Sequence, residues 1–597
     1  MEVQTASAGS ASTGSSTLAD LLTITVAKNA GLVAQRHKVD DQWTDVNYSE
    51  LGQIVKELSL GLQALGINRG HKVGILSNTR PEWTYSDFAI LTAGATVVPI
   101  YQTNSPEECE YVLDHSEAKA VVVEDEGQLE KIRKVRDQLP NLEYVITIEP
   151  IEADDTITIA ALREQGRDGS DSDFEQRVAS VAPDDVATYI YTSGTTGPPK
   201  GCIIDHRNWR SMLSMAERED VLVANETVYL FLPLAHAFAR LIQLIAIDVG
   251  STIAYWEGDA QKIVPNLMEV HPTYFPSVPR IFEKIYTLAT SNAPDKEQLD
   301  KAVELGVAVR QMQIRGEQVP DDLQAAFDRA DQDLFANVRN IFGGKMKQCV
   351  TGAAPIAPEI LRFFYACGVP VMEGYGMTET STAATINALD NFRIGSVGRA
   401  MEGCEVRIAD DGEVLIKGPN IFRGYYKNDE ATKETIVDGW LHTGDLGRLD
   451  ADGFLFITGR KKDIIITAGG KNITPANWEN MMKQDRYISQ AVMYGDRRPF
   501  LSALVTLDPE EVVTWAKKQA IENTDLASLA RNEKVRDMVQ ATINEINAKY
   551  AQVEQVKKFT ILDHDLTQET GELTPTMKVK RNVCYDKYAE TLDAMYT

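Results

Sequence analysis

The sequence predicts an α/β protein with a large N-terminal domain of layered βαβ sheets, a small β subdomain and a smaller α+β C-terminal domain. Three observations predict this architecture. Short β-rich runs alternate with helical stretches over 72–123 and again over 187–276, turn-rich β segments follow residue 390, and a separate α+β pattern begins after Arg460. A chain of 597 residues is also too long for one compact core, so at least two domains are expected.

The first elements follow each other in a βαβ order. Strands predicted over 71–77, 96–101 and 118–123 alternate with helices predicted over 81–93 and 106–116. The same alternation recurs later, where the runs 187–191 and 228–232 are almost continuously apolar. Such runs are typical of parallel strands covered on both faces of a sheet.

A helical insertion is predicted over about 292–340. Leu323, Phe327, Ala330, Leu334 and Val338 follow each other at steps of four, three, four and four residues, which places them on one face of a helix. We expect this face to pack on the sheet layers rather than to bind a partner. Beyond residue 390, the turn sequences at 409–412 and 450–453 predict hairpins and a small antiparallel subdomain.

Composition excludes several classes of function. The net charge of -27 excludes a general nucleic-acid binder, and it leaves peripheral membrane contact only to a local apolar or basic patch. No transmembrane segment is predicted, because runs such as 241–249 are shorter than the roughly 20 residues a bilayer requires. Six scattered cysteines favour a reducing, cytoplasmic location. The Ser/Thr/Gly/Ala-rich start predicts a disordered tail over 1–17, and nothing indicates the oligomeric state.

The first chemical motif is the segment YTSGTTGPPKG at 191–201, directly after a predicted strand. Its glycines allow the backbone to approach a phosphate, its hydroxyls add donors and its lysine adds positive charge. It lacks the GxxxxGK[ST] spacing of a Walker A loop. The predicted phosphate-binding residues are Thr192, Ser193, Gly194, Thr195, Thr196, Gly197 and Lys200.

This segment resembles the phosphate-binding motif of the adenylate-forming superfamily, which includes acyl-CoA synthetases, firefly luciferase and the adenylation domains of peptide synthetases. Further motifs follow in the family's order at 351–355, 373–380, 440–445, 458–471 and 574–581, so the resemblance covers nearly the whole chain after the tail. It implies ATP, Mg²⁺ and CoA as ligands. It also implies a mobile C-terminal lid domain over 463–597, joined by a hinge at 460–462 to an AMP-binding domain over 18–459.

Two of these motifs are predicted to hold the nucleotide and its metal. Glu379 is suited to Mg²⁺, a hard cation that prefers carboxylate and phosphate oxygens. The resemblance implies that Thr378 donates to the α-phosphate and that the Tyr375 ring, followed by Gly376, stacks on adenine. The small residues of the segment 351–355 would allow close approach to the base, and they include Gly352, Ala353 and Ala354.

The later motifs carry the ribose, hinge and thiol positions of the family. The resemblance implies that Asp445 accepts hydrogen bonds from the ribose hydroxyls and that Arg460 contacts ribose and phosphate. Lys462 falls at the hinge, and Gly469 falls where the family's backbone lines the pantetheine tunnel. Lys471 ends this segment, and we include it among the cofactor-binding residues.

Two further residues are predicted near the reacting carboxylate. Lys578 matches the family's catalytic lysine, which bridges the attacking carboxylate and the α-phosphate, and Lys580 is its nearest rival by position. His236 matches a histidine at the mouth of the acyl pocket, where we expect it to position the substrate rather than act as a general base. The aromatic residue two positions further on is Phe238.

The resemblance implies ATP-dependent activation of a long-chain fatty acid to acyl-AMP and its transfer to CoA. Trp83, the segments 99–101 and 278–286, and the chain length are similar to bacterial long-chain fatty acyl-CoA synthetases. Medium-chain or aromatic acids remain open. So does a fatty acyl-AMP ligase that uses a carrier protein, although the insertion of that subgroup is missing between Asp445 and Lys471. An inactive binding module is disfavoured by the intact set of charged residues.

Overall fold

The first of two large sheets lies in the N-terminal part of the chain. The computed structural model describes residues 12–151, 153–192, 198–290, 296–469, 471–574 and 577–597. Within these residues the sheet has nine strands, with five parallel pairings in its centre and antiparallel pairings at both edges. Their spatial order is Arg399–Ala400, Thr385–Ile386, Val371–Tyr375, Gln348–Thr351, Tyr274–Ser277, Thr227–Leu230, Thr252–Tyr255, Val33–Val39 and Gln42–Asn47.

The second large sheet has eight strands in the described part of the chain. Their spatial order is Gly424–Tyr425, Lys200–Asp205, Val186–Thr192, Thr96–Ile100, Lys72–Leu76, Ala120–Val123, Tyr144–Thr147 and Ile157–Thr158. The first two pairings are antiparallel and the others are parallel. The βαβ units expected from the sequence are therefore confirmed, with strand ends that differ by one or two residues.

Helices cover both faces of these sheets. One face of the second sheet packs on Cys109, Val112 and Ile132 of two helices, and the other face joins a central core that also contains Trp83 and Trp209. The helices of this part are Leu18–Asn29, Tyr48–Ala64, Pro81–Thr92, Pro106–Ser116, Glu126–Val135, Ile159–Arg167, Asp171–Ser180, His206–Arg218, Ala237–Val249, Ile263–Val270, Pro279–Thr290, Lys296–Ile314, Asp321–Ala330, Ala336–Ile341, Pro358–Cys367 and Asp429–Thr435.

The predicted insertion is helical and packs as expected. Phe327 and Val338 are buried, and the other members of the stripe are partly buried against the same core. Two features differ from a single helix: the chain breaks between the helices Lys296–Ile314 and Asp321–Ala330, and a π-helical turn lies at Asp331–Phe335. A π turn takes in an extra residue and rotates the following face, which accounts for the complete burial of Phe335 beside the stripe.

The small β subdomain is an antiparallel sheet of five strands within the described residues. Its strands are Glu405–Ile408, Glu413–Lys417, Ile436–Val437, Trp440–Leu449 and Leu455–Arg460. The predicted turns at 409–412 and 450–453 connect two of its hairpins. The antiparallel subdomain expected after residue 390 is therefore confirmed.

The C-terminal part has its own hydrophobic clusters. A three-stranded sheet of Ile488–Tyr494, Leu501–Leu507 and Val556–Ile561 lies at its centre, and alternate residues of these strands enter two different clusters. A two-stranded sheet of Ile465–Ile466 and Asn472–Ile473 precedes it. The helices are Pro475–Met482, Pro509–Lys518, Leu526–Ala530, Glu533–Asn547, Arg581–Lys587 and Ala589–Ala594.

The N-terminal end of the described chain packs on the domain instead of forming part of a disordered tail. Ser12 and Thr17, inside the predicted tail 1–17, are buried, and the Ser12 hydroxyl donates to the Asp248 carboxylate at 2.7 Å. The buried Asp248 also pairs with Arg210, so the polar residues of this segment satisfy a charge inside the domain. Residues 1–11 lie outside the described residues. Across the described ranges, the helices are too short or too polar to cross a membrane.

Candidate active site

A large cleft lies between the N-terminal sheets and the C-terminal part of the chain. Its volume is about 2500 Å³. It is lined by the ends of both large sheets, by the β subdomain and by the C-terminal residues that surround Lys578. Most of the predicted site residues that the structure describes meet in this cleft: Thr192, Lys200, His236, Gly352, Ala353, Ala354, Tyr375, Gly376, Thr378, Glu379, Asp445, Arg460, Lys462 and Lys578.

The predicted phosphate loop connects two paired strands at one side of the cleft. Thr192 and Lys200 are direct partners across the antiparallel pair, and Ser193, Gly194, Thr195, Thr196 and Gly197 lie outside the described residues. The Lys200 ammonium lies 4.9 Å from the ring centroid of Tyr425. A cation over an aromatic face is held without an ion pair, and it remains available to an anion in the cleft.

Glu379 lies in a short turn after the strand Val371–Tyr375. The Tyr425 hydroxyl donates to Glu379 Oε1 at 2.7 Å. Burial, and then the Glu379 carboxylate, raise the pKa of the Tyr425 phenol, so Tyr425 stays a hydrogen-bond donor at neutral pH. Gly376 is required in this turn, because an added Cβ would lie 2.1 Å from the Thr382 carbonyl oxygen. Tyr425 thus contacts both charged groups and was not predicted from the sequence.

Asp445 links three elements of the cleft. The Tyr375 hydroxyl donates to Asp445 Oδ2 at 2.7 Å, and Arg460 Nε lies 3.0 Å from Oδ1. Asp445 and Arg460 are direct partners on adjacent strands, which explains why residues fifteen positions apart meet. Burial, and then Asp445, raise the pKa of the Tyr375 phenol far above its usual value. The Tyr375 ring is therefore fixed at the cleft wall.

Glu413 supports the turn that presents Asp445. Its Oε1 accepts the backbone N–H of Gly444 at 2.8 Å, and its Oε2 lies 3.1 Å from His442 Nδ1 and 3.0 Å from Lys461 Nζ. No local pattern indicates this role, because Glu413 follows an ordinary turn of two aspartates and a glycine. The contact depends on strand register, which local sequence does not specify.

Lys578 reaches the cleft from the C-terminal part. Its backbone is fixed by Thr574, whose N–H donates to the Lys578 carbonyl oxygen at 2.8 Å. The side chain is accessible to solvent within the cleft but has protein on most sides. This desolvation, and then the positive charge of Arg460, lower the pKa of Lys578 to about 8, while Asp445 and Glu379 act in the opposite direction. Lys580 also borders the cleft.

His236 caps the helix Ala237–Val249 at the edge of the cleft. Its Nδ1 accepts the backbone N–H of Phe238 at 3.2 Å. Burial, and then the Lys578 charge, lower the pKa of His236 to about 4, so the ring is neutral at physiological pH. A neutral ring with one nitrogen occupied can still hydrogen-bond a ligand through the other nitrogen.

An apolar extension of the cleft begins beside His236. Phe238, Leu241, Ile242 and Ile245 lie along the following helix and line this extension, together with residues of the first sheet such as Tyr274. Because these helical residues share one face, they form a continuous apolar wall. This wall suits an extended apolar group better than a polar one.

The loop that is predicted to lie beside adenine follows the strand Gln348–Thr351. Ala353 has a φ of 66°, a left-handed conformation that a residue with a side chain rarely adopts. A Cβ on Gly352 would lie 3.1 Å from the carbonyl oxygen of Gly374. Gly352, Ala353 and Ala354 all line the cleft, and none of them carries more than a methyl group.

Two predicted cofactor-binding residues lie outside the cleft in this structure. Gly469 is exposed near the turn of the hairpin formed by Ile465–Ile466 and Asn472–Ile473, and an added Cβ would approach Thr467 Oγ1 no closer than 3.9 Å. Lys471 Nζ lies 3.3 Å from a Glu554 carboxylate oxygen. Lys462, in contrast, borders the cleft. Gly469 and Lys471 are thus separated from the other predicted site residues in this arrangement.

Together, the fold and the cleft define a class of enzyme that binds a nucleotide beside an apolar substrate. The chain belongs to the AMP-binding enzyme family: residues 25–426 match the AMP-binding enzyme model, and residues 462–597 match the AMP-binding enzyme C-terminal domain.

Curated relatives are similar over nearly the whole chain. The chain is 38% identical to the long-chain-fatty-acid–CoA ligase FadD15 of Mycobacterium tuberculosis over 573 residues, covering 94% of each protein. It is 33% identical to the human long-chain-fatty-acid–CoA ligase ACSBG1, covering 95% of this chain and 84% of the relative.

Solved structures share the fold at lower identity. The anthranilate CoA ligase AuaEII in complex with anthranoyl-AMP superposes with a TM-score of 0.72 at 20% identity, covering 97% of this chain and 98% of that one. A Mycobacterium tuberculosis fatty acyl CoA synthetase superposes with a TM-score of 0.61 at 21% identity, covering 96% and 99%. The predicted family and fold class are therefore confirmed, whereas the roles of individual residues stay predictions.

Proposed function

We propose that this enzyme activates a long-chain fatty acid with ATP to form acyl-AMP and pyrophosphate, and then transfers the acyl group to CoA, releasing AMP. The observation that carries the proposal is the position of Lys578. Its ammonium interacts electrostatically with Glu379 and Asp445 on the nucleotide side of the cleft and with His236 at the start of the apolar extension. A lysine between these two regions suits the meeting of a carboxylate with a phosphate.

In the first half-reaction, a carboxylate oxygen attacks the α-phosphorus in line and pyrophosphate departs. Lys578 would balance the charge of the two anions as they approach, and Lys200 would neutralise the departing phosphates. Thr378 would donate to the α-phosphate, and Asp445 and Arg460 would hold the ribose. The neutral His236 would orient the attacking carboxylate, since its low pKa makes it a poor general base.

Mg²⁺ fits this site as a companion of the nucleotide. In the described part of the chain, no group of three or more His, Cys, Asp or Glu side chains could hold a metal by itself. Glu379 supplies one hard carboxylate that lines the cleft, and Mg²⁺ is commonly held by one or two carboxylates together with substrate phosphates. When bound, the ion would neutralise phosphate charge.

The acid is proposed to be a long-chain fatty acid for two reasons. The wall formed by Phe238, Leu241, Ile242 and Ile245 is apolar along one helical face. The curated relatives named above are long-chain-fatty-acid–CoA ligases with more than 30% identity. We also propose a cytoplasmic location, which suits a chain whose six cysteines are all free.

For the second half-reaction, we propose that the part of the chain over 463–597 rotates as a lid about the hinge 460–462, relative to the domain 18–459. This motion would withdraw Lys578 and bring Gly469 and Lys471 to the cleft. The proposal is supported by the position of both residues outside the cleft while Lys578 lies inside it.

The test is AMP formation with ATP, Mg²⁺ and CoA across saturated acids from acetate to stearate, with a control lacking CoA. CoA-dependent turnover that peaks at chains of about twelve carbons or more supports the proposal. Accumulation of adenylate without a response to CoA would instead identify an acyl-AMP ligase. Turnover that peaks with short or aromatic acids would refute the long-chain assignment.

A further inference from the structure

A row of charged pairs crosses the cleft between the helix Pro279–Thr290 of the N-terminal part and the C-terminal part. Arg280 Nη2 donates to Asp508 Oδ2 at 2.6 Å, and Lys284 Nζ lies 3.8 Å from Glu510 Oε2. Between them, Glu283 interacts electrostatically with Lys483 of the C-terminal part. The signs alternate along the row, so a shift of one part past the other would bring like charges together.

The Asp508 side chain is held in place by its own helix, independently of Arg280. Its Oδ1 accepts the backbone N–H groups of Glu510 and Glu511, both at 3.1 Å, and so caps the helix Pro509–Lys518. The side chain is only 9% exposed, and its second oxygen points to the arginine. A carboxylate already held by a helix cap loses little side-chain freedom when it pairs. The pair is therefore stronger than an ordinary surface ion pair.

The neighbouring Glu283 lies in a partly sheltered section of the row, with 22% of its side chain exposed. Burial raises the pKa of the Glu283 carboxyl, although Arg280 and Lys483 both act to lower it. The part of the row at Glu283 and Asp508 is thus partly sheltered from solvent, whereas the pair of Lys284 and Glu510, with 57% and 76% of these side chains exposed, is solvated.

Lys578 lies in the cleft in the same arrangement in which Arg280 pairs with Asp508. Because Arg280 and Asp508 belong to opposite sides of the cleft, a lid rotation that withdraws Lys578 would also separate them. We infer that Arg280 and Asp508 are positioning residues, whose ion pair holds the C-terminal part in the orientation that forms acyl-adenylate. This inference rests on the proposed function.

The test compares the two half-reactions in Arg280→Gln, Asp508→Asn and the double variant. Asparagine keeps the oxygen that caps the helix, so Asp508→Asn removes the charge without removing the cap. The matched control is Arg486→Gln. Arg486 has the same 39% side-chain exposure as Arg280, and its 2.9 Å bond to Glu511 lies entirely within the C-terminal part.

We expect each single variant to form acyl-adenylate about tenfold more slowly, the effect of losing one charge-assisted hydrogen bond. The double variant should be no slower than either single variant, because both remove the same contact. Transfer to CoA from supplied acyl-adenylate should keep its rate, and the control should match the wild type in both assays.

Several results would overturn the inference. One is a rate of adenylate formation in Arg280→Gln equal to that of the wild type. Another is an equal loss of rate in both half-reactions. A third is a double variant whose loss of rate is the product of the losses in the two single variants. Failure of the wild-type enzyme to form any adenylate would instead refute the proposed function, and with it the basis of this inference.

Discussion

The low pKa of Lys578 predicts an alkaline limit on adenylate formation. If the reaction needs the charged ammonium, a pKa of about 8 leaves about half of the free enzyme active at pH 8 and about one tenth at pH 9. A lysine with the usual pKa of about 10.4 would still be almost fully charged at pH 9. The rate constant kcat/KM for ATP should therefore fall about tenfold between pH 7 and pH 9, because this parameter reports ionisations of the free enzyme.

The assay is pyrophosphate release without CoA, so that ionisation of the thiol does not contribute. Bound phosphates would stabilise the ammonium, so the limit on kcat should lie at a higher pH than the limit on kcat/KM. Lys578→Arg provides the control, because a guanidinium stays charged throughout this range and should remove the limit even if the rate is lower. An unchanged limit in Lys578→Arg, or a flat wild-type profile to pH 9.5, would refute this reasoning.

Three further predictions address other parts of the structure. Lys578→Ala should block adenylate formation but spare CoA transfer from supplied acyl-adenylate, and equal loss of both, or the same effect in Lys580→Ala, would contradict the assigned role. Gly376→Ala should slow adenylate formation about 100-fold, because the new Cβ would displace the turn before Glu379. The control is Gly31→Ala, where a Cβ meets nothing within 4 Å, and this variant should form adenylate at the wild-type rate. Arg240→Leu should lower the free energy of unfolding in urea by about 3–5 kcal/mol, because it leaves the fully buried Asp87 carboxyl without its ionic partner. A loss below about 1 kcal/mol, as expected for the exposed Arg315→Leu, would contradict this reasoning.

Local sequence patterns predicted most of the fold. The strands and helices between 71 and 123 were visible because hydrophobic periodicity and end signals agree there. The helix Pro106–Ser116, for example, has a proline in its first turn and a serine cap. The stripe around Phe327 was visible for the same reason. The π-helical turn at Asp331–Phe335 was not predicted, since no local sequence pattern indicates where a helix takes in an extra residue.

The candidate site was predicted only as far as its motifs extend. Asp445 and Arg460 lie within motifs, and the structure places them on paired strands. Tyr425 and Glu413 lie outside these motifs, and their contacts depend on the packing of distant segments. The same holds for Ser12, whose hydroxyl donates a hydrogen bond to Asp248, 236 positions away. A sequence indicates which side chains can make such contacts, but the fold decides which of them do.

The arrangement of charge in the cleft explains how an acidic protein can bind an anionic nucleotide. Arg460 is paired with Asp445, Lys200 lies over the Tyr425 ring, and the pKa of Lys578 is lowered. Lys578 is thus held at a cost in desolvation, whereas Arg460 and Lys200 each have a partner that a ligand can replace or share. Phosphates entering the cleft would relieve that cost, because they bring negative charge to groups already oriented towards them. Binding of the nucleotide should therefore favour the orientation in which Lys578 lies in the cleft, and departure of pyrophosphate should weaken that preference before CoA reacts.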